Sequence, residues 1–270
     1  MRQIIAASTL IFATCGIAAI AQADDHVVPN AHLLQLADTS TTQTQRSEPG
    51  PSPPETQHFA ISIGGLYTHR ETETAGWAPN VQVNYAATDR LELHFMAPFA
   101  FDRLKGRGTH YGIGDVEIGA RYRIFDENVQ SWEPAVAIYP LVDFPSGSER
   151  NNLGTGSTHA FLPVWLAKTF DAWTPYGGGG YWINPGVNNR DWFFVLAGVQ
   201  RQISEALTLG GEIFHASSSK VGLKEQTGFD VNGRYNFTDH HHFVFSVGRG
   251  LQNADTTNEA TVYAAYLLTF

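Results

Sequence analysis

From His58 to the carboxy-terminal Phe270 the chain runs in segments of about ten residues that alternate apolar and polar side chains, each closed by turn residues. A period of two sends successive side chains to opposite faces of a strand, so each segment offers one apolar and one polar face. The segments fall near 58–69, 77–87, 90–101, 111–125, 131–143, 158–169, 174–184, 191–203, 206–216, 226–237, 241–249 and 259–270. About twelve such strands joined in chain order predict an all-β fold, a transmembrane antiparallel up-and-down β-barrel whose apolar faces meet lipid.

The connections sort into two kinds. Thr88-Asp89, Asp126-Glu127-Asn128, Asp171-Ala172, Ser204-Glu205 and Thr238-Asp239 read as tight turns, whereas Asp143 to Ser157 and Ser217 to Glu225 are long and rich in Gly, Ser and charge. Short and long connections alternate, which places all the long ones at one end when the strand count is even.

Alternation also assigns the faces. Around Gly112 to Ile124, Val116, Ile118, Ala120, Tyr122 and Ile124 share one side, while Asp115, Glu117, Arg121 and Arg123 share the other. An Arg facing lipid at mid-bilayer costs about 2–4 kcal/mol, so the charged side is expected to face the lumen. The same logic turns Leu91, Leu93, Phe95 and Phe99 outward and Arg90, Glu92 and His94 inward; it sends Asp230, Asn232 and Arg234 inward and adds Glu212 to the lumenal set. Glu92 is expected nearly level with Arg121 on the neighbouring strand. Such a salt-bridge ladder reads either as a selectivity constriction or as structural filling of a narrow barrel.

The last strand turns Val262, Ala264, Tyr266, Leu268 and Phe270 outward, and its aromatic end (Tyr266, Leu268, Phe270) looks like the signal that barrel-assembly machinery reads. Its inner set, Thr261, Tyr263, Ala265 and Leu267, is largely apolar. That suggests a lumen polar along one wall and greasy along another.

Ahead of the strands, Arg2, the apolar run Ile4 to Ile20 and Ala21-Gln22-Ala23 read as a secretory signal peptide over residues 1–23, cleaved before Asp24. Residues 24–57, with a Thr/Ser/Gln run and Glu48-Pro49-Gly50-Pro51-Ser52-Pro53-Pro54, read as a disordered periplasmic segment, in which Leu33-Leu34-Gln35-Leu36 could plug the lumen. Residues 58–270 are then the outer-membrane barrel. The single cysteine, Cys15, falls in the signal, so the mature chain is expected to lack disulfides, thiolate metal ligands and cysteine nucleophiles. A net charge of −9 with no Lys/Arg stripe argues against nucleic acid as a partner and leaves outer-membrane lipids and a small solute.

A family resemblance rests on Gly112-Ile113-Gly114-Asp115 leading into Ala120-Arg121-Tyr122-Arg123, Phe144-Pro145-Ser146-Gly147, Gly154-Thr155-Gly156, Tyr176 with Gly177, Gly178, Gly179 and Gly180, and Phe245 to Leu251. These residues resemble the outer-membrane transporters of the MetA-pathway of phenol degradation family, over about Phe59 to Phe270. The resemblance implies passive uptake of small hydrophobic or aromatic compounds. The Gly177 to Gly180 run reads either as a lateral gap through which an apolar solute leaves the lumen or as a bend that closes a small barrel.

Other patterns carry less. His215-Ala216-Ser217 with Glu225 resembles the His-x-Ser arrangement of lipid A deacylases, giving an outer-membrane lipid hydrolase as the alternative function; a structural barrel without transport is the third. His240-His241-His242 lies at a tight turn, where alternation splays adjacent side chains and denies a metal converging ligands. Gly112-x-Gly114 sits in a strand without the helix a dinucleotide needs. No catalytic residue, metal or cofactor is predicted.

Overall fold

A computed structural model describes residues 59–128 and 130–270. The expectations for residues 1–57, namely the signal peptide, the disordered segment and the Leu33 to Leu36 plug, lie outside the described residues.

Fourteen strand segments form one sheet. They are β1 (Phe59–His69), β2 (Glu73–Ala86), β3 (Leu91–Leu104), β4 (Thr109–Ile113), β5 (Val116–Phe125), β6 (Ala135–Ile138), β7 (Leu141–Phe144), β8 (His159–Ala167), β9 (Trp173–Ile183), β10 (Trp192–Gln202), β11 (Leu207–Ala216), β12 (Gln226–Asn236), β13 (His241–Gln252) and β14 (Ala260–Thr269). Two pairs of segments are halves of single crossings. β4 and β5 both pair with β3, and β6 and β7 both pair with β5 and β8. Gly114-Asp115 interrupts the first crossing, and Tyr139-Pro140, whose proline has no N–H for the ladder, interrupts the second. Twelve crossings result, in a closed antiparallel barrel.

The seam joins β1 to β14 from Ala60↔Thr269 to His69↔Ala260, and Phe59 and Phe270 exchange backbone hydrogen bonds at its end. Both ends of the barrel chain therefore lie on the short-turn side. The opposite end carries the connections 145–158, 184–191, 217–225 and 253–259, with only 70–72 and 105–108 short there. One expected tight turn differs. β6 starts at Ala135, so the connection from Asp126 to Pro134 is longer, and it folds on itself: the Asn128 N–H donates to the Glu133 carbonyl at 3.1 Å, and the Asn128 amide donates to the Glu133 carboxylate at 2.9 Å.

The pleat sorts side chains by chemistry. Outward positions such as Ile63, Phe95, Tyr122, Leu162, Val195, Val231 and Tyr266 form an exposed apolar belt of the kind that hydrocarbon solvates. Inward positions are buried, including the charged Glu73, Glu92, Asp102, Glu117, Asp143, Glu212, Asp230 and Arg234. This is the reverse of a water-soluble barrel, which hides apolar side chains inside and shows polar ones.

Candidate functional site

The lumen is filled by its own side chains. Met96, Asp143, Phe161 and Asn258 have no exposed surface, and charged and aromatic groups divide the interior between them.

Along β2, β3 and β5 the lining is polar. Register sets Glu92 opposite Arg121, and the guanidinium donates to the Glu92 carboxylate at 3.0 Å. One rung further, the His94 ring bridges Asn84 Oδ1 at 2.8 Å and Glu117 Oε1 at 2.9 Å. Two positions expected in this set sit at the short-turn rim. Arg90, which was expected inward, is half exposed and paired with Asp126; Arg123 also reaches Asp126, at 3.2 Å, and donates to the Asp89 carbonyl at 2.5 Å. Both occupy the last turn of the sheet, where a long side chain reaches water more cheaply than a partner deep in the lumen.

A second polar group joins β9 to β12. Glu212 and Asp230 are register partners, the Tyr176 hydroxyl donates to Glu212 at 2.6 Å, and Asn232 donates to Asp230 at 3.2 Å. Arg234 follows on the same face and donates to Asn236 Oδ1 at 2.8 Å.

Asp115 does something the alternation does not foretell. Its carboxylate accepts from the Gly147 N–H at 2.9 Å, the Thr155 N–H at 2.6 Å and the Thr155 hydroxyl at 2.5 Å. Ser146 completes the joint by donating to the Gly114 carbonyl and accepting from the Val116 N–H. The three separate motifs Gly114-Asp115, Ser146-Gly147 and Gly154-Thr155 are thus one device that pins the 145–158 loop to the break between β4 and β5. Gly154 is glycine because a Cβ there would lie 2.4 Å from the Asp115 carboxylate. The pinned loop lays Leu153 inside the mouth, where it is buried.

That loop is tied to its neighbours. Ser157 donates to the Pro185 carbonyl at 2.9 Å, Asn184 donates to the Ser219 carbonyl at 2.9 Å, and the Val221 N–H donates to the Asn188 carbonyl at 2.8 Å. Lys220 sits within this lacing, where burial holds its ammonium below the usual lysine value against the opposing pull of Glu149.

The other wall is aromatic, and most of its rings come from β8 to β11, not from the last strand on which the expectation of a greasy wall rests. Phe161 stacks on Trp182 at 4.7 Å with planes 13° apart, and Trp182 stacks on Trp192 at 5.5 Å and 8°. Trp165 lies 6.5 Å from Phe194, which lies 6.5 Å from Phe214, and Tyr139, Tyr176, Trp77 and Tyr263 belong to the same buried cluster. The signal was available in β8, where Phe161, Trp165 and Ala167 alternate with Leu162, Val164 and Leu166. A strand apolar on both faces, as β10 also is over Trp192 to Leu196, marks a greasy stretch of lumen.

Gly177 to Gly180 lie in β9 beside this wall. The ladder is continuous through them on both sides, with Leu166↔Gly177 to Pro163↔Gly180 on one and Gly177↔Ala197 to Gly180↔Phe194 on the other. Gly178 and Gly180 face inward. A Cβ on Gly178 would lie 2.6 Å from the Trp165 ring, and one on Gly180 would lie 2.7 Å from the Phe161 ring. Glycine there lets both rings lie flat against the sheet.

The remaining patterns separate. His215 bonds to Thr227 at 2.9 Å, Ser217 accepts from the Phe193 N–H at 3.0 Å, and Glu225 takes the Gln252 amide at 3.0 Å, so these three do not form a triad. His240, His241 and His242 go to the Thr269 carbonyl, the Tyr266 hydroxyl and Asn236, respectively.

No protein-family model matches the sequence, and no curated protein does. Among solved structures the fold is similar to an outer membrane channel from Pseudomonas putida F1, with a TM-score of 0.68 at 15% identity over 82% of this chain and 100% of that one. It is also similar to the KdgM porin, with a TM-score of 0.54 at 9% identity over 78% of this chain and 99% of that one. At these identities the likeness is one of fold.

Proposed function

We propose that this barrel is an outer-membrane channel for the passive uptake of small hydrophobic or aromatic compounds, in keeping with its resemblance to the MetA-pathway transporters. The observation that carries the reading is the continuous aromatic wall from Trp192 at the long-loop end to Trp165 and Phe214 within the lumen. A barrel that needed only a stable core has no use for a tier of rings stacked across three neighbouring strands on one side and ion pairs on the other. The likeness to the Pseudomonas putida channel supports the same class. Residues 1–23 would then direct export, 24–57 would remain in the periplasm, and Tyr266, Leu268 and Phe270 would present the last strand for assembly.

Because the lumen is packed, a solute passes by displacing side chains and not through a standing hole. Ion conductance is accordingly expected to be far below that of an open porin. The decisive measurement is flux into liposomes carrying the purified full chain, with a panel of aromatic and hydrophilic solutes. Aromatic solutes should cross well above the protein-free background and faster than sugars of similar size; if none crosses, the transport reading fails although the barrel stands.

The Glu92–Arg121 and His94–Glu117 rungs serve in this reading as the constriction. Arg121→Ala leaves the Glu92 carboxylate buried without its cation, which should cost about 3 kcal/mol of stability and raise single-channel conductance severalfold. Lowered stability with unchanged conductance would reduce the ladder to filling.

A further inference from the structure

Three buried tryptophans, Trp77, Trp165 and Trp182, have an indole N–H without an acceptor among the described residues, and the last two share the inner face of the neighbouring strands β8 and β9, where they have more chemistry than packing requires. Trp182 and Trp165 are 2% and 6% exposed, and the indole N–H of each is buried with no acceptor among the described residues. Indole is a donor only, and a donor out of reach of solvent is nearly always paired. A ring alone would serve the packing equally well, as Phe161, Phe194 and Phe214 beside them do. What tryptophan adds at these two places is the N–H.

The two donors occupy successive levels. Trp165 pairs in register with Gly178, and Trp182 is four residues further along the same face of β9, which separates the levels by roughly 13 Å. Each level has its own platform: Phe161 and Trp192 about Trp182 near the long-loop end, and Phe194 about Trp165 deeper in. The glycines at 178 and 180 hold the Trp165 and Phe161 rings against the sheet.

We infer that the solute is a small ring compound bearing a hydrogen-bond acceptor, such as a carbonyl or ether oxygen, and that Trp182 and then Trp165 donate to it as it descends. The inference rests on the reading that the barrel admits ring compounds, and it adds a polar handle to them. A plain hydrocarbon finds the same platforms and leaves both donors unmet. A site that offers donors discriminates against the analogue without the acceptor.

The test uses the full chain, refolded in detergent micelles and labelled with nitrogen-15 at the indoles, titrated with acetophenone and with isopropylbenzene, which share a ring and a similar outline. Acetophenone should bind about tenfold tighter and move two indole N–H resonances, identified by their loss in Trp182→Phe and Trp165→Phe. In the double variant the two probes should bind alike. If the double variant fails to assemble, each single variant, which keeps a ring in the stack, should narrow the difference on its own.

Equal binding of the probes to the unaltered protein, or an acetophenone preference that survives both substitutions, overturns the polar handle and leaves the channel reading intact. Liposome flux of both probes tests that reading separately. If neither crosses faster than into protein-free liposomes, the channel fails; if the protein speeds both equally and binds both with equal affinity, only the handle does.

Discussion

Replacing Asp115 with alanine is expected to release the 145–158 loop from the barrel mouth. The carboxylate holds three donors from that loop, and hydrogen bonds to a charged group are worth about 1.5–3 kcal/mol each. Water replaces part of what is lost near the mouth, so the net cost should be about 3 kcal/mol, seen as a lower melting temperature of the folded barrel. The loop itself should become cleavable between Pro145 and Ser157 by added protease, and open-channel noise should increase. Asp115→Asn should fall between, because its amide oxygen still accepts one bond while its NH2 confronts the Thr155 N–H. A loop that stays protease-resistant in Asp115→Ala would show that Leu153 and the neighbouring loops suffice to hold it.

The second large effect is expected at Gly178. A Cβ there would lie 2.2 Å from the Val164 carbonyl oxygen and 3.0 Å from the Trp165 Cα, and backbone cannot swing aside as a side chain can. Gly178→Val should therefore cost more than about 3 kcal/mol and stop most of the chain from reaching the heat-modifiable folded form on gels. Gly211→Ala supplies the control, since its Cβ would have only an ordinary contact of 3.4 Å with the Asp230 carbonyl. Normal folding of Gly178→Val would mean that the Gly177 to Gly180 stretch is looser than its continuous ladder implies.

The barrel was legible in the sequence because its determinants are local. Alternation of period two, turn residues and the even alternation of connection lengths need no knowledge of distant contacts, and the β12 and β14 faces follow from them. Even the Glu92–Arg121 rung was legible, because an antiparallel hairpin with a known turn fixes which residues stand opposite. What stayed hidden depends on the third dimension. Asp115 falls in phase with Glu117 and Arg121, and only the fold shows that residues 147 and 155 return to meet it. The aromatic wall is assembled from β8, β9, β10 and β11, each contributing one or two rings whose phase agrees only once the strands are in register. Arg90 and Arg123 follow from parity, yet Arg90 stands just before β3 and Arg123 two residues from the end of β5, where the rim gives a long side chain another place to go.

The stack that crosses three strands also makes the protein its own optical gauge. Trp182 and Trp192 hold two identical chromophores 5.5 Å apart in nearly parallel planes, one on β9 and one on β10, with Phe161 of β8 against them. Chromophores at that spacing couple through their strong transitions, so the closed barrel should carry a far-ultraviolet indole circular-dichroism couplet that neither strand has alone. Its appearance during refolding would time the docking of β8, β9 and β10, and its disturbance by a solute would report occupancy without any label.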